Sequence, residues 1–162
     1  MRSGFAAFLF FSQLLFSQVP SSAPSSSFQK AADAALSDEK AAVEAMLRTQ
    51  QDAWNRQDLD GFMAGYWNSP ELTFFSGATE RNGWQATLDR YRAAYASPGH
   101  EMGKLEFSEL RIELLGTDAA FVRGAWHLTM PDGKTPHGLF TLVFRKFPEG
   151  WRIVHDHASA AE

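Results

Sequence analysis

From Gly99 to its end the chain is patterned as sheet without a break, which is the tightest constraint on its fold. Leu105 and Phe107 share one alternation phase, whereas Leu110, Ile112 and Leu114 take the other. Such a slip predicts a β-bulge near Ser108-Glu109. Ala119 to Met130 has the length of a long strand, and Pro131-Asp132-Gly133-Lys134 carries hairpin-turn chemistry. Leu139 to Phe147 forms the return strand, and Phe147-Pro148-Glu149-Gly150 turns it into a last strand over Gly150 to His157. Four strands joined by short turns predict an antiparallel meander.

The first half has helical periodicity instead. Ser25 to about Leu36 is rich in Ser and Ala and is expected as a linker or a frayed helix start. Ser37 is the expected N-cap, with Asp38 and Glu39 complementing the helix dipole. Val43, Met46, Leu47, Gln50 and Trp54 then fall on one helical face, while Glu44, Arg48 and Asp52 sit four apart on another. Asn55-Arg56-Gln57-Asp58 ends that helix and caps a short second one whose apolar side holds Leu59, Phe62, Met63, Tyr66 and Trp67. Asp58 and Asp60 therefore serve as turn and cap residues rather than paired catalytic carboxylates. Pro70 stops the second helix, and Leu72 to Phe75 has the pattern of a short strand. Asn82-Gly83 opens a third helix striped by Trp84, Leu88, Tyr91 and Tyr95, which Ser97-Pro98-Gly99 closes. Helices first and strands second predict an α+β fold: three helices on one face of a curved, mostly antiparallel sheet.

The 162 residues suit one domain with an extension. Arg2 followed by the 12-residue apolar run Phe5 to Phe16 and a Ser/Pro/Gln tract is a signal-peptide pattern, too short to span a bilayer. The expected division is a signal peptide and processing region over 1–27, a linker over 28–37 and the domain over 38–159. The expected location is periplasmic or secreted, with no membrane attachment once the leader is removed. The chain has no cysteine, so disulfides, thiol nucleophiles and thiolate metal sites are excluded. The whole chain carries 15 basic and 19 acidic residues, and loss of Arg2 leaves 14 against 19, a net of −5. The charges are dispersed, so nucleic acid is not an expected partner.

Function is written mainly in the last strand. In perfect alternation Trp151, Ile153, His155 and His157 share one face, and Arg152, Val154 and Asp156 the other. An apolar face that ends in two imidazoles describes a ligand pocket. His155 and His157 have three readings: structural histidines, polar groups that orient a ligand, or two ligands of a metal. A metal needs a third or fourth partner; His127 and His137 are available, but no Asp or Glu is placed on their face, so no metal site is expected. An imidazole also titrates near neutrality, which keeps an acid–base role open for either residue. On the strand before the hairpin, Val122, Gly124, Trp126 and Leu128 alternate together and are expected to face inward with Arg123 and His127 outward, although a one-residue slip would exchange the two sets. Trp54, Tyr66, Trp67 and Tyr91 add aromatic surface with polar tips that need partners when buried. A Gly-rich phosphate loop, a His-Glu-x-x-His and a Gly-x-Ser-x-Gly elbow are all absent from the sequence, and no cofactor is expected.

The segment Ala53-Trp54-Asn55-Arg56-Gln57-Asp58-Leu59-Asp60-Gly61 resembles the helix-one-to-helix-two signature of the nuclear transport factor 2-like superfamily, including its SnoaL-like members. Gly150 to His157 is similar to the end of the calcium/calmodulin-dependent kinase association domain and its bacterial relatives, and Asp118-Ala119-Ala120 fits the same pattern. The resemblance spans Asp38 to Ser159 and implies a cone-shaped fold. It does not imply the ketosteroid isomerase reaction, because Gln50, Ser76 and Leu142 stand where that branch keeps a tyrosine donor, a carboxylate base and a protonated aspartate. Trp126 and Leu142 replace two arginines that the kinase association domain uses to bind small carboxylates. The leading expectation is an exported domain that binds a small apolar or aromatic molecule through Trp54, Tyr91, Trp126, His155 and His157. The alternatives are a proton-transfer enzyme (isomerase, cyclase or dehydratase-like) using His155 or His157, and a non-catalytic homodimer. Relatives pair through the outer sheet face, to which Phe140, Phe144 and Val154 would contribute if they point outward.

Overall fold

The computed structural model describes residues 26–97 and 102–161. The leader expected over 1–27 lies, up to residue 25, outside the described residues, as does the Pro98-Gly99 part of the turn after the third helix. The elements run α1 (Ser26–Asn55), α2 (Leu59–Met63), β1 (Thr73–Ser76), β2 (Thr79–Asn82), α3 (Trp84–Tyr95), β3 (Lys104–Leu114), β4 (Ala119–Thr129), β5 (His137–Phe147) and β6 (Gly150–Ala158). The fold is α+β, as the patterning predicts.

α1 begins well before the expected cap. Ser37 sits mid-helix, because the Ala-rich stretch around it has high helix propensity and carries the helix back to Ser26. Residues 28–37 form exposed early turns of this helix, and its buried face starts at Val43 and continues through Leu47, Gln50, Ala53 and Trp54. Asp58 caps α2 by accepting from the Gly61 N–H at 2.8 Å. Ser97 ends α3 by donating its hydroxyl to the Arg92 and Ala93 carbonyls.

The six strands form one sheet in the order β2-β1-β6-β5-β4-β3. β3 to β6 make the expected antiparallel meander, and β1 joins β6 in parallel. The pairing of β3 with β4 slips between Ser108 and Arg111, with Glu109 at φ 53°, so the predicted bulge is present. β2 is an addition to the expected elements: Thr79-Glu80-Arg81-Asn82 has no apolar residue and hence no alternation to detect, and Gly77 at φ 57° is its sole hint.

α1 lies along β3, the edge of the sheet, and its polar side chains occupy backbone groups that an edge strand otherwise leaves open. The Asn55 amide donates to the Leu105 carbonyl at 2.9 Å and accepts from the Leu105 N–H at 2.7 Å. Gln51 accepts from the Phe107 N–H at 2.7 Å. At the other end of the domain Glu39 accepts from both Lys146 and the Trp151 indole, which draws its carboxyl below the usual range. Phe140 and Phe144 are buried in the core between sheet and helices, so neither belongs to the outer face. That face is made by their strand neighbours, Leu139, Thr141 and Val143, among which Leu139 is 63% exposed.

Candidate functional site

The course of β6 decides what faces the interior. Phe144 pairs with Ile153 and Val143 pairs with His155, so Val154 is an extra residue with no partner. A single inserted residue moves every later side chain to the opposite face. Trp151 and Ile153 point into the core as expected, but beyond the bulge it is Asp156 and Ala158 that do so. His155 and His157 are thereby on the outer face. His155 shares a hydrogen bond with the Thr73 hydroxyl at 2.6 Å, and both rings meet the edge of Phe75. Burial and the neighbouring His157 hold the His155 imidazole below its ordinary pKa. The expectation that these histidines line the pocket is therefore corrected, and so is the placement of Asp156 on the far side.

The segment following α2 runs beside β6, where the Ile153 N–H donates to Gly65 at 3.0 Å and the Trp67 N–H donates to Ile153 at 2.9 Å. This contact sets the Tyr66 phenol over Asp156, to whose Oδ2 it donates at 2.7 Å. Close approach here needs Gly65, since a Cβ at that position would lie 2.4 Å from the Gln50 side chain. Gln50 is itself engaged, its amide donating to the Phe62 carbonyl at 2.9 Å. The other Asp156 oxygen, Oδ1, is buried and has no hydrogen-bond partner among the described residues. Desolvation raises the Asp156 carboxyl to about 7, although the Tyr66 hydroxyl and the nearby Arg90 charge pull it down. The Tyr66 and Tyr91 hydroxyls, also in contact, are both pushed upward, chiefly by burial and next by the Asp156 charge. Both phenols are thus proton donors throughout the ordinary pH range.

Around this carboxylate lies a cavity of about 220 Å³ between the helices and the sheet. Trp54 from α1 meets Tyr91 and Tyr95 from α3 edge-on, at 6.0 and 4.9 Å, and Phe62 at 5.1 Å. Trp126 closes the side toward β4, which settles the phase of that strand: Val122, Trp126 and Leu128 face inward as expected. Its indole donates to the Ser159 carbonyl at 3.0 Å and so ties the C-terminal strap to the wall. Arg90 supplies the cavity's guanidinium, resting on the Phe74 ring at 5.0 Å and donating to Ser76 at 3.3 Å. Of the five residues expected to form the site, Trp54, Tyr91 and Trp126 are brought together here and the two histidines are not. Gln50, Ser76 and Leu142 line the same cavity and offer no carboxylate. Among the described residues, no cluster of three or more His, Asp or Glu could hold a metal ion.

The cone of helices around a bulged sheet has close counterparts, and the SnoaL-like domain profile matches residues 43–162. The chain belongs to the SnoaL-like domain family. An NTF2-like protein of unknown function from Shewanella oneidensis is 39% identical, over 72% of this chain and 95% of that one, with a TM-score of 0.68. A protein from Thiobacillus denitrificans, described as a candidate calcium/calmodulin-dependent kinase type II association domain, is 25% identical over 74% of this chain and 94% of its own, at TM-score 0.61. An NTF2-like superfamily protein from Salmonella enterica shares 22% identity over 78% and 94% of the two chains, at TM-score 0.64. Among curated proteins none matches. These likenesses place the SnoaL-like fold and leave its chemistry to the residues of the cavity.

Two cavity residues escape a reading of the sequence. Alternation assigns Asp156 to the wrong face because the Val154 bulge has no composition signal. One hint exists: Val154 is an apolar residue in the middle of what alternation makes a polar face. Arg90 lies on the same helix as the Tyr91 stripe but one residue off it, and its guanidinium reaches the cavity by lying across Phe74.

Proposed function

We propose that this SnoaL-like domain binds a small aromatic or comparably compact apolar molecule that carries one hydrogen-bond donor. The observation that carries this reading is the buried, unpartnered Oδ1 of Asp156 in a cavity otherwise walled by aromatic rings. A buried polar atom without a partner costs about 1–3 kcal/mol, which a donor on the ligand recovers. Size supports the same class. A protein cavity of about 150 Å³ accommodates benzene, so about 220 Å³ suits one ring with a few substituent atoms. Export of the mature domain is part of the proposal, supported by Arg2 and the apolar run that follows it.

Titration with simple phenols, followed by the tryptophan emission to which the cavity-lining Trp54 and Trp126 contribute, tests the binding. Wild-type protein is expected to saturate, Asp156→Ala to lose at least tenfold in affinity, and Leu142→Phe to exclude the ring. Unchanged affinity in both variants overturns the assignment. A second reading, proton transfer, is favoured by the Asp156 carboxyl at about 7, where it exchanges a proton readily at neutral pH. This moves the acid–base role from the histidines to Asp156. Turnover of any cavity ligand should then follow an ionisation near pH 7 and vanish in Asp156→Asn. Activity surviving that change rejects it.

A further inference from the structure

Asp156 is 5% exposed, and its Oδ1 is the one buried side-chain oxygen or nitrogen without a hydrogen-bond partner among the described residues. It is also the only acidic residue that lines the cavity, and the only basic one, Arg90, is not ion-paired with it. When ionised, this carboxylate has the Tyr66 hydroxyl on one oxygen and no counter-charge in contact. Buried charges are stable when they are both paired and hydrogen-bonded. Other polar groups of the wall are occupied: Gln50 bonds Phe62, Ser76 accepts from Arg90, and the Ser159 carbonyl accepts from Trp126. The rest of the lining is largely aromatic. It already holds one cation against ring faces, the Arg90 guanidinium over Phe74 at 5.0 Å and Tyr91 at 5.6 Å.

We propose that the cavity takes a tertiary ammonium, an aromatic or compact apolar amine whose single N–H bonds Asp156 Oδ1. This rests on the cavity reading above and narrows its one donor to a charged one. A neutral hydroxyl fills the open acceptor but leaves the carboxylate without a counter-charge. A primary ammonium brings three donors to one open acceptor, and buried donors left unpaired are costly. A quaternary ammonium has the charge and no donor. The tertiary ammonium matches on both counts. Its N–H makes a charge-assisted bond, roughly twice as strong as a neutral one, and its alkyl groups lie on the electron-rich faces of the rings. Arg90 opposes a second cation. Its guanidinium is partly buried and bonds Ser76, which pairs with Ala158, two residues along β6 from Asp156. The carboxylate is in contact with the N–H and the guanidinium is not, so attraction exceeds repulsion, each falling with distance. Arg90 thus lowers the affinity without abolishing it.

The test is isothermal titration calorimetry of the full chain at pH 8, where Asp156 is ionised. The probes are N,N-dimethylbenzylamine, benzyl alcohol and benzyltrimethylammonium, which share one ring and differ in charge and donor. The tertiary amine is expected to bind at least tenfold more tightly than either of the others. Asp156→Asn, which keeps an acceptor for Tyr66, should bring the amine and the alcohol within twofold of each other. Arg90→Gln should strengthen amine binding severalfold, whereas Arg92→Gln, an exposed neighbour paired with Asp60, should leave it within twofold. Equal strengthening by both arginine variants overturns the proposal, since it marks attraction to diffuse charge. Alcohol that binds as tightly as the amine overturns the proposal and leaves the cavity reading standing. A quaternary cation that binds as tightly as the amine overturns the N–H contact and with it the proposal. Saturation by none of the three overturns both readings. Melting curves check that the variants fold, and the comparison of the three probes on the wild-type chain decides the matter without any variant.

Discussion

Asp156 holds the largest stake of any residue in this domain. Its carboxyl titrates at about 7 in the folded chain and near about 3.9 once unfolded. Between those values the folded state keeps a proton that the unfolded state has lost. Stability therefore falls as pH rises through this window and levels off above about 7. The full difference corresponds to at most roughly 4 kcal/mol, since each tenfold change in proton affinity is worth about 1.4 kcal/mol. Asp156→Asn keeps an acceptor for Tyr66 and removes the charge. It should be more stable than wild type at pH 8, and its stability should be level between pH 6.5 and 8 in urea unfolding curves. His155 acts in the opposite direction: held below its ordinary value, it lowers stability as pH falls past about 6.5, where the unfolded chain takes up its proton first.

At the scale of elements, two local devices fasten the sheet to its neighbouring segments. The strap Ser159 to Ala161 continues β6 along β5, with the Ser159 N–H donating to Leu139 and the Ala161 N–H donating to His137, each at 2.9 Å. Gly138 permits this, because a Cβ there would sit 1.8 Å from the Ser159 carbonyl oxygen. Gly138→Ala should therefore release the strap. Amide exchange at Ser159 and Ala161 should rise to near free-chain rates while α1 stays protected, and an unchanged pattern would contradict the contact. Along the β3 edge, Asn55→Ala removes both hydrogen bonds to Leu105. The expected loss is about 1–3 kcal/mol by thermal or urea melting, with exchange increasing first at Leu105.

For the molecule as a whole, a ligand that binds only the folded cone adds its binding energy to global stability. At one hundred times its Kd a cavity ligand should contribute about 2.7 kcal/mol. For a domain of this size that moves Tm by roughly 5–10 °C. A phenol that quenches tryptophan emission without shifting Tm would be bound outside the cone, at one of the other four tryptophans. Outward pairing of two copies would have to use Leu139, Val143 and Phe121, since Phe140 and Phe144 are committed to the core.

Local rules in the sequence determined most of the frame. The helical stripe from Val43 to Trp54, the Asp58 cap, the Ser108-Glu109 bulge and the meander were legible because each depends on neighbours within a few residues. The inward phase of Trp126 was not, since a one-residue slip exchanges the two faces of its strand and the register settled it. The site was legible only in part. Two of its aromatic walls followed from periodicity, but its polar group did not, since one unpartnered residue at Val154 exchanges the two faces of everything after it. That bulge is set by competing demands on β6, which must pair with β5 on one side and with Gly65 and then β1 on the other. Such a compromise between distant segments leaves no more in local alternation than one apolar residue, Val154, on the nominally polar face. Tertiary structure alone therefore decided that a carboxylate, rather than two imidazoles, faces the cavity.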